Sequence, residues 1–188
     1  QVVDGDEAAE ILADGPRVEH RPVNPLRHPR LQRHRVAHAL GPGAQRSVVR
    51  ADFGQLFAQA ESGLMGLALA ADFADSREVY TCHSSADHSD NRVTAWTAAE
   101  DWSELADPRV LVEGIPLSDG GLHSGCRILA HPDGTLYIGT GDAFTGPAPQ
   151  DPTSLSGKIL HVDRDGTPAG DTDIDGAPAD SPVLTYGH

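Results

Sequence analysis

Three features of this sequence predict an all-β chain. It holds 20 glycines and 14 prolines in 188 residues, a usage that favours many tight turns over long helices. After residue 60 it runs in short segments rich in β-branched and aromatic side chains, separated by turn residues. Those segments also echo one another. The run from Leu67, then Val79-Tyr80, Asn91-Arg92-Val93 and Asp101, returns as the run from Ile128, then Leu136-Tyr137, Gly157-Lys158-Ile159 and Asp165, 57 to 66 residues later. A four-stranded unit cannot bury both faces alone and must stack on its neighbours, so this period reads as blades of a β-propeller with enlarged loops rather than a β-sandwich.

Taken in order, strands are predicted at 79–82 (VYTC), 92–97 (RVTAWT), 109–112 (RVLV), 127–130 (RILA), 136–139 (LYIG) and 158–162 (KILHV). The second alternates strictly, which makes Trp96, and with it Trp102, blade packing rather than a ligand-stacking platform. Between 127–130 and 136–139 lies His131-Pro132-Asp133-Gly134, a tight hairpin signal: proline presets φ at one turn position and glycine accepts positive φ at another. Asp163-Arg164-Asp165-Gly166 closes a strand in the same way.

Residues 1–60 form an atypical segment and 61–188 the partial propeller. The net charge of −14 is unevenly spread: residues 17–50 hold eight arginines against one acid, Glu19, for +7, and the remainder carries −21. The basic stretch has no sustained period, and its readings are a polyanion-binding arm, a solvated linker, a poorly ordered loop or a shifted reading frame. No functional residue is assigned there. The acidic remainder repels phosphate backbones and anionic membrane faces, which argues against nucleic acid as a partner of residues 51–188 and favours neutral small molecules and cations. No apolar run approaches the ~18 residues of a spanning helix, and the first residues lack the basic and apolar regions of a cleavable signal. Cys82 and Cys126 have no metal-ligand spacing. Two buried free thiols are the simpler reading, with a disulfide as the alternative in an oxidising compartment.

The chemistry concentrates between Gly121 and Asp142. His123 precedes one strand and Asp142 follows its hairpin partner, so the hairpin places both side chains at one end. An imidazole oriented by a carboxylate is poised as a general base, because the carboxylate fixes the tautomer and stabilises the imidazolium that forms.

The ordered set Glu61-x-Gly-Leu-Met-Gly-Leu-Ala, Asn91-Arg92-Val93, Leu111-Val-Glu-Gly-Ile-Pro116, His123-x-Gly-x-Arg127, Pro132-Asp-Gly, Tyr137-x-x-x-Gly141-Asp142, Gln150-Asp151 and Ser154-Leu-x-Gly-Lys158-Ile-Leu, ending in Tyr186-Gly187-His188, resembles the soluble quinoprotein glucose and aldose sugar dehydrogenases of the glucose/sorbosone dehydrogenase family. The resemblance covers residues 61–188. It implies a six-bladed propeller that binds pyrroloquinoline quinone at the top of its central channel, with calcium holding the cofactor and subunit contacts, in a periplasmic or secreted protein. It implies that His123 takes the proton of the sugar C1 hydroxyl, that Asp142 orients it, and that Glu61, His123, Asp142 and Gln150 contact the cofactor. The implied partners are an aldose and an external electron acceptor. Six blades of this period need about twice the present length, so the chain is expected to be an N-terminal fragment. It departs from the family pattern at Cys126, where a glycine is usual, placing a side chain close to where the cofactor packs, and at Ala70-Ala71, where His-Pro is usual. A calcium-dependent lactonase on a similar propeller and an inactive propeller used for binding are the rival readings.

Two acidic clusters are weaker candidates. Asp171-x-Asp173-x-Asp175-Gly176 opens like an EF-hand loop but has Pro182 at the twelfth position, where a bidentate glutamate is required, so it reads as a solvated loop. His83 and His88 flank Asp87 and read as exposed loop residues rather than metal ligands.

Overall fold

Alternating side chains of successive strands feed two cores here, and that division builds the molecule. The computed structural model describes residues 10–13, 34–38, 47–170 and 173–188. Strands β1 (Glu10–Ala13), β2 (His34–His38) and β3 (Ser47–Ala51) form a three-stranded sheet, with β1 parallel and β3 antiparallel to β2. The first four-stranded unit comprises β4 (Leu64–Leu69), a short helix α1 (Phe73–Ser76), β5 (Glu78–Ser85), β6 (Asp90–Ala98) and β7 (Leu105–Pro116), paired in chain order and antiparallel. The second comprises β8 (Gly125–Ala130), β9 (Leu136–Thr140), β10 (Lys158–Val162) and β11 (Val183–Tyr186), paired in the same way. This is the repeat that the sequence announces: β4 corresponds to β8, β5 to β9 and β6 to β10. The strands of the first unit extend beyond their predicted limits, and the all-β expectation of stacked four-stranded blades holds.

One core lies between the two blades. Tyr80, Cys82, Val93 and Ala95 of the first meet Ile128, Ile138, Leu160 and Val162 of the second. The other core lies on the opposite face of the first blade, where Val79, Trp96, Ala98 and Leu105 meet Val49, Ala51 and Phe53. Covered on both sides, β6 is buried along nearly its whole length, apolar and polar residues alike. Trp96 is blade packing as expected: its indole N–H donates to Thr81 Oγ1 (2.8 Å) and its ring meets Phe53 edge-on. Trp102 stacks on Phe73 with the Arg77 guanidinium over both rings. Asn91-Arg92 holds the blade together. Asn91 accepts from Ser84 Oγ and donates to the Pro116 carbonyl, while Arg92 makes a buried bidentate pair with Asp90.

Two sequence expectations are corrected. Cys82 and Cys126 are joined as a disulfide, not two free thiols, because β5 and β8 face each other across the core between the blades. His83 is not an exposed loop residue: it lies within β5, buried against the edge of Phe53. The blades are also tied by Arg164, from the turn after β10, which pairs with Asp72 (2.8 Å) and Glu78 of the first blade. Most of the basic stretch, together with Asp171, lies outside the described residues. Among those described, no helix is long and apolar enough to cross a membrane.

Candidate active site

The connection from β7 to β8 is shaped by contacts only particular residues allow. Gly121 has φ +67° and packs against the Gln59 carbonyl so closely that a Cβ would lie 2.2 Å from that oxygen. Its own carbonyl accepts the Glu61 amide (3.0 Å), and the Ser62 and Ser124 hydroxyls bond to each other beside it. The following His123 holds φ at +52°, a left-handed conformation that costs a non-glycine residue about 1–2 kcal/mol. Two bonds hold it there. The His123 N–H donates to Glu61 Oε2 (2.8 Å), and its carbonyl accepts the Ala143 N–H (3.0 Å). Backbone strain of this kind persists where the surroundings over-determine it, and it clusters at functional sites.

The turn after β9 approaches from the other side. A Cβ on Gly141 would lie 1.8 Å from the His123 carbonyl oxygen, so glycine is required for the two segments to touch. Gly141→Ala is expected to destabilise the fold by about 3 kcal/mol, the upper end for overpacking. Gly146→Ala, a position with open space around it, should change little in the same denaturant unfolding measurement.

Asp142 follows, and its Oδ1 accepts both the His123 Nδ1–H (2.7 Å) and the Phe144 N–H (2.8 Å). The Phe144 amide first, and the imidazole second, hold the Asp142 carboxyl below the usual carboxylate range. An ionised carboxylate only accepts, so Nδ1 carries the ring proton and the neutral imidazole keeps its lone pair on Nε2. The His123 side chain is 48% exposed, and Nε2 has no partner among the described residues. Phe144 stands beside it, 66% exposed, its ring edge-on to the imidazole at 5.0 Å.

Of the four sequence-predicted site residues, His123, Asp142 and Glu61 are brought into direct contact. Glu61 touches the backbone of His123 rather than its ring. Gln150 touches none of them. It is exposed at the end of a 3₁₀ turn, Ala148–Gln150, inside the loop from 141 to 157, whose two ends meet where the Gly157 N–H donates to the Gly141 carbonyl (2.7 Å). Cys126, which would intrude on a cofactor if its side chain faced this edge, is instead buried in the core with its sulfur bonded to Cys82. Sequence reasoning missed Phe144, because nothing in its pattern separates an exposed loop aromatic from a buried one. It also gave Lys158 no role of its own, although Lys158 is the only lysine in the chain. Among the described residues, no three His, Cys, Asp or Glu side chains converge as a metal site.

Comparison with known proteins gives the family and the fold. The glucose/sorbosone dehydrogenase family model matches residues 36–188, beginning ahead of the Glu61 motif and taking in β3. The chain is 29% identical over 114 residues to the aldose sugar dehydrogenase YliI of Escherichia coli, covering 59% of this chain and 31% of that protein. Among solved structures it resembles the PQQ-bound aldose sugar dehydrogenase of Streptomyces coelicolor, with TM-score 0.67 and 35% identity over 77% of this chain and 41% of the other. It also resembles a putative glucose dehydrogenase of Thermus thermophilus, with TM-score 0.69 and 34% identity over 78% of this chain and 44% of the other. The chain spans about a third of the length of the curated relatives it matches.

Proposed function

This chain belongs to the glucose/sorbosone dehydrogenase family, and from that premise we propose that its protein oxidises an aldose at C1 to the lactone, with pyrroloquinoline quinone as the immediate electron acceptor. The observation that carries the reading is the His123–Asp142 pair: a half-exposed imidazole with Nδ1 tied to a carboxylate at 2.7 Å and Nε2 left to the substrate. His123 takes the proton of the C1 hydroxyl on Nε2 as the C1–H bond breaks. Asp142 holds the tautomer that makes Nε2 the acceptor and stabilises the imidazolium that results. Glu61, bonded to the His123 amide, keeps the ring in place. When bound, the quinone supplies the acceptor for the hydride leaving C1.

The residues present suit that cofactor. It offers carbonyl and carboxylate oxygens, and the exposed Gln150 amide can donate to them without giving up a bond to His123, Asp142 or Glu61. Calcium belongs to the same proposal through the family alone, and no step here depends on it. The protein would act in the periplasm or outside the cell and pass electrons to an external acceptor. Full-length protein supplied with quinone and calcium is expected to reduce a dye only when aldose is present. Dye reduction that does not depend on aldose, or none at all, would overturn the reading.

Phe144 supplies an apolar surface beside the base, suited to the C–H face of a sugar ring. Phe144→Ala should therefore raise KM for the aldose about tenfold, the loss of ~1.4 kcal/mol of ring contact, with kcat within twofold. A fall in kcat at constant KM would instead make Phe144 a support for the imidazole.

A further inference from the structure

Lys158 carries a charge that neither the sheet nor the chemistry above employs. It is the only lysine in the chain, beside thirteen arginines. It is also fully buried, at 0% exposure. Among the described residues no carboxylate forms a salt bridge with it, and Asp151 acts on it only at longer range. Its ammonium donates to three backbone carbonyls instead: Ala148 (2.9 Å), Pro149 (3.0 Å) and Ser156 (2.6 Å). Two of these belong to the turn that ends in Gln150, and the third lies at the far end of the same loop. Pro149, which has no N–H of its own, also has its carbonyl bonded by the Gly187 N–H (2.8 Å).

Burying an ammonium costs several kcal/mol before its bonds are counted, and here burial pushes the Lys158 pKa down. A β-strand gains nothing from such a residue that methionine would not supply. What methionine cannot supply is three donors radiating from one point. Arginine cannot either: its guanidinium is a flat fork that suits a carboxylate, whereas an ammonium is compact and its three N–H groups diverge. The single lysine sits where three carbonyls of one loop converge.

We propose that Lys158 is a positioning residue for the cofactor, an internal cation that folds the 141–157 loop around itself and so presents Gln150 to the quinone. The proposal rests on the quinone reading given above, and it concerns how the cofactor is held rather than how the sugar is oxidised. Its test is therefore a binding measurement without sugar: apo full-length protein titrated with pyrroloquinoline quinone and followed by the quinone absorbance.

Lys158→Met and Gln150→Ala are each expected to weaken quinone binding about tenfold, the effect of losing a hydrogen bond or two at the site. The double variant should bind no more weakly than the weaker single, because Lys158 acts only through the Gln150 turn. Hydrogen exchange at the amides of residues 150–151 should quicken in Lys158→Met while those of β4 to β7 keep their protection. Lys158→Arg keeps the charge and loses the converging donors, so it should behave as Lys158→Met does. It also carries the test if the methionine variant does not fold. Quinone binding unchanged in either lysine variant while Gln150→Ala weakens it overturns the proposal and leaves the quinone reading standing. Additive effects in the double variant also overturn it. Wild-type protein that fails to bind quinone overturns both.

Discussion

His123→Ala is expected to lower aldose-dependent dye reduction by about 10²- to 10⁴-fold at saturating quinone and sugar, the range for losing a positioned general base. Quinone binding should survive, since Glu61 contacts the His123 backbone and Gln150 lies on another loop. Asp142→Asn makes a sharper variant. Its amide oxygen at the Oδ1 position can still accept both the His123 Nδ1–H and the Phe144 N–H, but a neutral amide does not stabilise the imidazolium, and an amide nitrogen turned to the ring would donate to Nδ1 and move the ring proton to Nε2, the wrong tautomer for a base. Activity should fall with the geometry intact, and the fall should sit in kcat. An alanine at 123 that leaves the rate unchanged would remove the base assignment altogether. A fall confined to KM would make His123 a substrate-binding group.

The acid side of the pH dependence has a contributor with a defined sign. Asp142 has a folded-state pKa held below its unfolded value, chiefly by the Phe144 N–H. Its bonds to His123 and Phe144 are therefore present above the ordinary carboxylate pKa and are lost as pH falls through the lowered folded one. Loss of the Phe144 position in acid should accompany loss of activity, and an NMR titration of the Asp142 carboxyl carbon checks it.

How much was legible from the residues depended on whether the signal was local. Strand positions and the blade repeat were readable because the apolar runs of 127–130, 136–139 and 158–162 and their Pro-Asp-Gly or Asp-Gly turns are local facts of pattern. In β9 and β10 burial alternates as the sequence suggests. In β6 it does not, because coverage of a second face by β3 and Phe53 is a tertiary fact that no window of nine residues contains. The His123–Asp142 pair was legible because one short hairpin joins its members. Glu61 was assigned from its place in a motif, and its actual bond, to a backbone amide 62 residues away, has no sequence signature. Lys158 lies within a motif that assigns it no role, since a lysine in a strand reads as an exposed edge residue until its three carbonyl partners are seen.

The disulfide is the other feature spacing could not decide, and its removal is expected to have the largest effect on stability. Cys82 and Cys126 are 44 residues apart. Cross-linking a loop of that length removes denatured-state entropy equivalent to about 4 kcal/mol in the chain-entropy treatment. That is a large share of the 5–15 kcal/mol by which domains are stable. The ionic contacts between the blades are weaker by comparison. Arg164 and Asp72 are substantially exposed, and Glu78, though mostly buried, keeps Arg109 and Tyr80 as partners, so losing Arg164 should cost about 1 kcal/mol or less. Breaking the disulfide should therefore loosen the end of the interface that Cys126 shares with His123, three residues before it, while the Arg164 end holds only weakly. Cys82→Ala with Cys126→Ala is expected to lower the free energy of unfolding by about 3–4 kcal/mol, and reductant added to wild-type protein should reproduce most of that loss. Arg164→Ala should cost a quarter of it or less. Guanidinium unfolding of all three, with and without reductant, separates them. Equal destabilisation by Arg164→Ala and by the cysteine pair would show that ionic contacts, not the covalent link, hold the two blades together.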